Sequence, residues 1–271
     1  MIVALWRALG GFIAHRGLFL AAGLSFYFLI CLIPMLFLTI SIAGYMLSQQ
    51  EALAAVLGKI REIVPVYQKE LNEILGRIVA TRTTSGLVGT AILLLFSTQL
   101  FGALRMIMNE AFGVKRGRGY VKGFLSDVLM VVVMGVLFLA SIVITDIFFL
   151  VQSSVLTPVH VPQRWIRWMF LAVAVLVNVG LFFVLYRYFP SRRVHLGAVI
   201  SGAVLASLLW ETAKQLFRWY ILTVGVYDKI YGPLGALVAI AMFAYYSAIV
   251  VILGAEYAAA LDARWRRRPS T

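Results

Sequence analysis

Six stretches of this chain run for 17 residues or more without a formal charge: Gly17–Gln50, Thr83–Leu104, Val128–Thr145, Trp168–Tyr186, Val194–Trp210 and Ile230–Ala255. About 20 helical residues cross a hydrocarbon core, so each stretch reaches or nearly reaches membrane length once its flanking aromatics are counted. A water-soluble domain has no interior large enough to hide them all. In lipid every backbone N–H and C=O must be satisfied within its own segment, which the α-helix does. The expected fold is all-α: a polytopic bundle of six transmembrane helices, with spans at about 18–47, 84–112, 124–150, 166–189, 195–222 and 232–260. They form one membrane domain over residues 1–263, followed by a basic tail at 264–271.

The net charge of +13 is read through that conclusion. In a soluble protein it would point to nucleic acid; here it reports topology, because basic residues stay on the cytoplasmic side. Arg7 and Arg16 precede the first span, Lys115, Arg116, Arg118 and Lys122 follow the second, Arg187, Arg192 and Arg193 follow the fourth, and Arg264, Arg266, Arg267 and Arg268 follow the sixth. The opposite loops carry Arg164, Arg167 and Lys229, plus a segment at 51–82 in which four glutamates nearly balance five basic residues. Both termini are therefore expected in the cytoplasm, consistent with an even number of spans.

The first run is too long for a signal-peptide core of about 7–15 residues and reads as a signal anchor. Cys31, the only cysteine, excludes an intramolecular disulfide, and Pro34 is expected to kink the first span. Between the first two spans, Leu53, Val56, Leu57, Ile60, Ile63 and Val64 keep helical spacing, which restarts after Pro65 at Leu71, Ile74, Leu75, Ile78 and Val79. Residues 50–82 are thus expected to form two short amphipathic extracytoplasmic helices.

Polar residues inside the spans carry the functional signal, since each costs about 2.5–3.5 kcal/mol at a helix centre unless it finds a partner or water. Arg105 and Asn109 sit four apart on the second span, Asn178 near the middle of the fourth, and Glu211 and Lys214 on one stripe of the fifth. These five are the candidates for a polar cavity; Glu110, Arg218, Tyr231 and Glu256 are secondary. Each has a structural reading as well. Arg218 can snorkel to an interface, Glu211 and Lys214 can neutralise each other, and Arg105 can be half of a structural ion pair.

Catalytic signatures are missing from the sequence. His15, His160 and His195 have no cysteine or carboxylate at metal-ligand spacing, and Gly113, Gly117 and Gly119 punctuate a basic turn without the strand of a phosphate loop. Neither a cofactor nor a metal is expected.

Four ordered segments, AAGLSFYFLICLIPMLFL at Ala21–Leu38, FGALRMIMNEAFGV at Phe101–Val114, HLGAVISGAVLASLLWETAKQLFRWY at His195–Tyr220 and YDKIYGPLGALVAIAMFAYYSAIVVILGAEY at Tyr227–Tyr257, resemble the YihY/BrkB family of bacterial inner-membrane proteins. The resemblance covers nearly the whole chain and implies a six-span bundle. Members have carried the label ribonuclease BN, one is linked to serum resistance as a virulence factor, and others are associated with lipopolysaccharide or lipid traffic. The nuclease label lacks its chemistry here: RNA hydrolysis needs acid/base or metal-ligating groups gathered in a wet site, and these carboxylates lie on separate helices. No enzyme activity and no nucleic-acid partner are expected.

Two functional classes remain. In one, the chain is a transporter-like or lipid-handling bundle whose cavity of Arg105, Asn109, Asn178, Glu211 and Lys214 takes an anionic lipid, a lipopolysaccharide precursor or a solute. In the other, it is a non-transporting scaffold or envelope assembly factor, the same residues are internal pairs, and Ser201, Gly202, Ala203, Ala206 and Ser207 serve close packing within the chain or in a homo-oligomer.

Overall fold

A computed structural model describes residues 2–46, 82–114, 162–223 and 233–266, with positions 119, 123, 125, 128–131, 133, 136 and 137. Six helices are defined among them: α1 (Ile2–Ala14), α2 (Gly17–Met46), α3 (Arg82–Ala111), α4 (Gln163–Tyr188), α5 (Leu196–Thr223) and α6 (Pro233–Arg266). The described residues of 123–137 outside these six are helical too. The amphipathic pair expected at 50–82, apart from Arg82 where α3 begins, and most of the span expected at 124–150 lie outside the described residues, as do residues 224–232, Tyr231 among them.

Among the described residues, three helices are long and apolar enough to cross a membrane: α4 over Leu171–Tyr188, α5 over Leu196–Trp219 and α6 over Val238–Arg266. A fourth is added if α1 and α2 count as one bent span. The protein is an all-α membrane protein.

The sequence reading treats the residues before Gly17 as a basic flank; the structure corrects this, because they form α1. Ala4, Ala8 and Phe12 recur every four residues and are buried, the two alanines packing with Tyr257 against Leu205 and Leu261. The chain then turns by 72° into α2. Arg16 takes φ 53°, in the left-handed region that costs a non-glycine residue about 1–2 kcal/mol. Its carbonyl accepts from the N–H groups of Phe19 and Leu20 at 2.9 and 3.1 Å, which starts the new helix. Gly17 is required by the same corner, since a Cβ there would lie 2.4 Å from the Phe12 ring.

α6 is the central element. It packs along α5, α2 and α1 and touches α3 and α4, while α2 runs along α3 and α4 along α5. Small residues let α5 and α6 approach. A Cβ on Gly202 would sit 2.9 Å from the Gly254 carbonyl oxygen, and one on Gly254 would sit 2.2 Å from the Tyr186 hydroxyl, which donates to the Val251 carbonyl at 2.9 Å. Gly202, Ala203, Ala206 and Ser207 are thus covered within one chain.

Candidate functional site

The polar residues of the spans fall into separate groups. On the α4–α5 seam, Ser207 Oγ donates to the Val175 carbonyl at 3.0 Å. One turn further, Asn178 Nδ2 donates to Glu211 Oε1 at 2.8 Å, and Lys214 Nζ reaches the same oxygen at 2.7 Å. The spacing explains the node: residues four apart on α5 meet residues three apart on α4 along one line of contact. Glu211 is buried, whereas the Lys214 side chain is 39% exposed, so the node opens outward along the lysine.

Arg105 and Asn109 lie at the other level of the bundle. Asn109 Oδ1 accepts from the Ser191 N–H at 2.8 Å and so pins the connection between α4 and α5. At 1.5 Å per residue, Glu211 stands about 22 Å along α5 from Leu196, while Arg105 stands about 6 Å along α3 from Asn109. The Arg105 guanidinium packs beside Gly123, where a Cβ would lie 2.0 Å from Nη1. The structure therefore gathers Asn178, Glu211 and Lys214 and sets Asn109 apart from them, holding a loop. Glu110 and Arg218 are exposed.

The end of the bundle nearest Asn109 holds the secondary candidate Glu256 and, beside it, Asp262 with its partners, which sequence reasoning missed. Asp262 is fully buried; its Oδ2 accepts from Arg192 Nη2 at 2.7 Å and Arg266 Nε at 3.0 Å, and its Oδ1 from the His195 N–H at 2.8 Å. Burial lowers the pKa of the Arg192 guanidinium, Asp262 raises it and Arg266 lowers it further. Arg266 also donates to the Arg193 carbonyl at 2.8 Å. Glu256, two turns earlier on α6, meets His15 Nδ1 at 2.7 Å, and Gly11 makes the room, because a Cβ there would lie 2.4 Å from Glu256 Oε2. One local signal was readable: Asp262 lies four residues before Arg266, a spacing that pairs on a helix. The partners 67 to 241 residues away leave no such trace.

These groups border an open cleft of about 480 Å³ between α1, the end of α3 and α6, with Arg7, Arg192 and Arg266 on its walls and Glu256 among its lining. The α3 wall ends in a Schellman turn: Val114 N donates to the Asn109 carbonyl at 2.8 Å, and Gly113 takes φ 65°. Arg192 lies over the Phe112 ring, 5.7 Å from its centroid, which holds the guanidinium at the rim. Among the described residues, no three of His, Cys, Asp and Glu gather as a metal site.

A family model described as virulence factor BrkB matches residues 8–271. Similar proteins include YfkH of Bacillus subtilis, named ribonuclease-like, at 26% identity over 92% of both chains. A UPF0761 membrane protein of Vibrio vulnificus is 29% identical over 92% of this chain and 79% of its own. A UPF0761 membrane protein of Chlorobium chlorochromatii is 26% identical over 92% of this chain. The chain spans nearly all of the Bacillus relative but only 57% of the Chlorobium one. No solved structure matches.

Proposed function

Because the chain belongs to the virulence factor BrkB family, we propose that this integral membrane protein is a transporter-like, lipid-handling bundle that accepts an anionic lipid or solute at the α4–α5 seam. The observation that carries the reading is the Asn178–Glu211–Lys214 node, an acid–base pair on α5 bound to Asn178 of α4, both helices of membrane-crossing character. Such a pair costs free energy to insert and by default marks a substrate path. Lys214, partly exposed beside its carboxylate, supplies the cation that an anionic head group would meet. Six spans in a bacterial inner membrane, both termini in the cytoplasm, a lipid rather than a nucleic acid as partner, and binding rather than hydrolysis are parts of the same proposal, supported by the alternating basic loops.

The scaffold reading is favoured by one fact: Glu211 Oε1 already holds two partners within the chain, so the node is neutral without a ligand. Glu211→Gln with Lys214→Met separates the two. Replacing both members of a buried pair is often neutral or stabilising, whereas removing one strands a charge at about 3–5 kcal/mol. Native mass spectrometry of this double variant should show loss of co-purifying anionic lipid at an unchanged melting temperature. Full retention of lipid would leave the scaffold reading standing.

A further inference from the structure

We infer that the cleft between α1, the end of α3 and α6 is a second, separate anion site that takes the phosphate of a lipid head group from the leaflet beside α1. It shares no residue with the α4–α5 node and goes beyond that reading.

The charge inventory is the first argument. Asp262 is occupied by Arg192, Arg266 and the His195 N–H, and Glu256 by His15. Arg7 has no acidic partner among the described residues, and Arg192 Nε is buried with no hydrogen-bond partner there. Three guanidiniums therefore border one open space with a single lining carboxylate, Glu256, which is already paired with His15, so donors exceed acceptors. Guanidinium forks match the tetrahedral oxygens of phosphate, and partial burial strengthens the contact. The floor is made of Ala259, Ala260 and Ala263, so the space between the cations is not filled by side chains.

The orientation of α1 is the second argument, and it selects the lipid as source. Ala4, Ala8 and Phe12 face the protein, while Trp6 and Ile13 on the opposite side are 72% and 75% exposed. An apolar face this bare is unstable in water. The 72° turn from α2 lays α1 across the direction in which α2 runs, so a spanning α2 places α1 along the leaflet surface, with Trp6 and Ile13 in the acyl boundary. On a helical wheel Arg7 falls between the protein-facing and lipid-facing arcs. It thus stands where a phosphate lies when a lipid approaches the cleft from the side.

The test uses the full chain in nanodiscs of phosphatidylcholine doped with phosphatidylglycerol, read by native mass spectrometry, with inorganic phosphate as the soluble arm. Arg7→Gln removes a cation that no ion pair needs, so the fold is retained. It should lower phosphatidylglycerol retention about tenfold, the factor that one charge-assisted hydrogen bond is worth. Ala260→Leu, which fills the floor, should do the same, and Arg7→Lys should restore part of the loss. The Glu211→Gln/Lys214→Met variant should keep the Arg7-dependent fraction, so failure of the node reading leaves this one intact. Retention by Arg7→Gln equal to the unaltered protein, or equal retention of phosphatidylcholine, overturns the proposal. Saturation by inorganic phosphate alone, with lipid adding nothing, overturns the leaflet as the source.

Discussion

Asp262→Ala is the substitution whose effect the structure fixes best. The carboxylate is fully buried and closes three segments onto one another: α6, the α4–α5 connection through Arg192, and the start of α5 through the His195 N–H. Removing it strands the Arg192 guanidinium, whose side chain is 28% exposed, a loss of about 3–5 kcal/mol for a buried pair broken on one side. Arg266, 53% exposed, adds little. The orphaned His195 N–H adds about 1 kcal/mol. A total of about 4–6 kcal/mol at roughly 2–4 °C per kcal/mol predicts a melting temperature lower by about 8–24 °C. Cys31 supplies the assay, because it is the only cysteine and is buried: a thiol-reactive fluorogenic dye reports unfolding as the label appears. Asp262→Asn keeps an acceptor for His195 and should fall between. Arg192→Ala leaves Asp262 still held by Arg266 and the His195 N–H and should lose less than Asp262→Ala. If Asp262→Ala melts within about 2 °C of the unaltered protein, the three bonds do not hold these segments and the argument fails.

Two further outcomes follow from close contacts. Gly254→Ala places a methyl against the Tyr186 hydroxyl and Ala206, so it should lower stability by about 1–3 kcal/mol through overpacking, measured with the same dye; an unchanged melting curve would mean the α5–α6 approach is looser than described. Asn109→Ala leaves the Ser191 N–H without its acceptor and should cost about 1–2 kcal/mol while lipid retention stays unchanged; a selective loss of lipid would instead restore Asn109 to a binding role.

What the sequence could disclose was what lipid imposes on single segments. A long uncharged run in lipid must be helical, and α4, α5 and α6 each cover all or nearly all of the run that announces them. The end of α6 shows the limit of that signal: its run stops at Ala255, yet the helix continues through Glu256 and Asp262 to Arg266. It can do so because both acids are satisfied by partners on other segments, and a hydropathy pattern does not report partners. α1 was missed for a related reason. Its apolar residues are too few to span, and their meaning lies in Ala4 and Ala8, which find Tyr257 on α6, and in Phe12, which joins the main core.

The polar residues divide along the same line. Glu211 and Lys214 share a stripe that helical spacing alone exposes, and the structure keeps them together and adds Asn178. Arg105 and Asn109 share a stripe too, but it faces the α4–α5 connection and Gly123, because α3 runs beside α2 and α6 rather than along the α4–α5 seam. Periodicity places side chains on a face; which neighbour meets that face depends on the order of helices in the bundle. The His15–Glu256 contact makes the point at its extreme, since it requires the 72° turn after α1 before residues 241 positions apart can touch. Intramembrane charge therefore identifies residues that need a partner, and the packing order of the helices decides whether that partner is another helix or a loop.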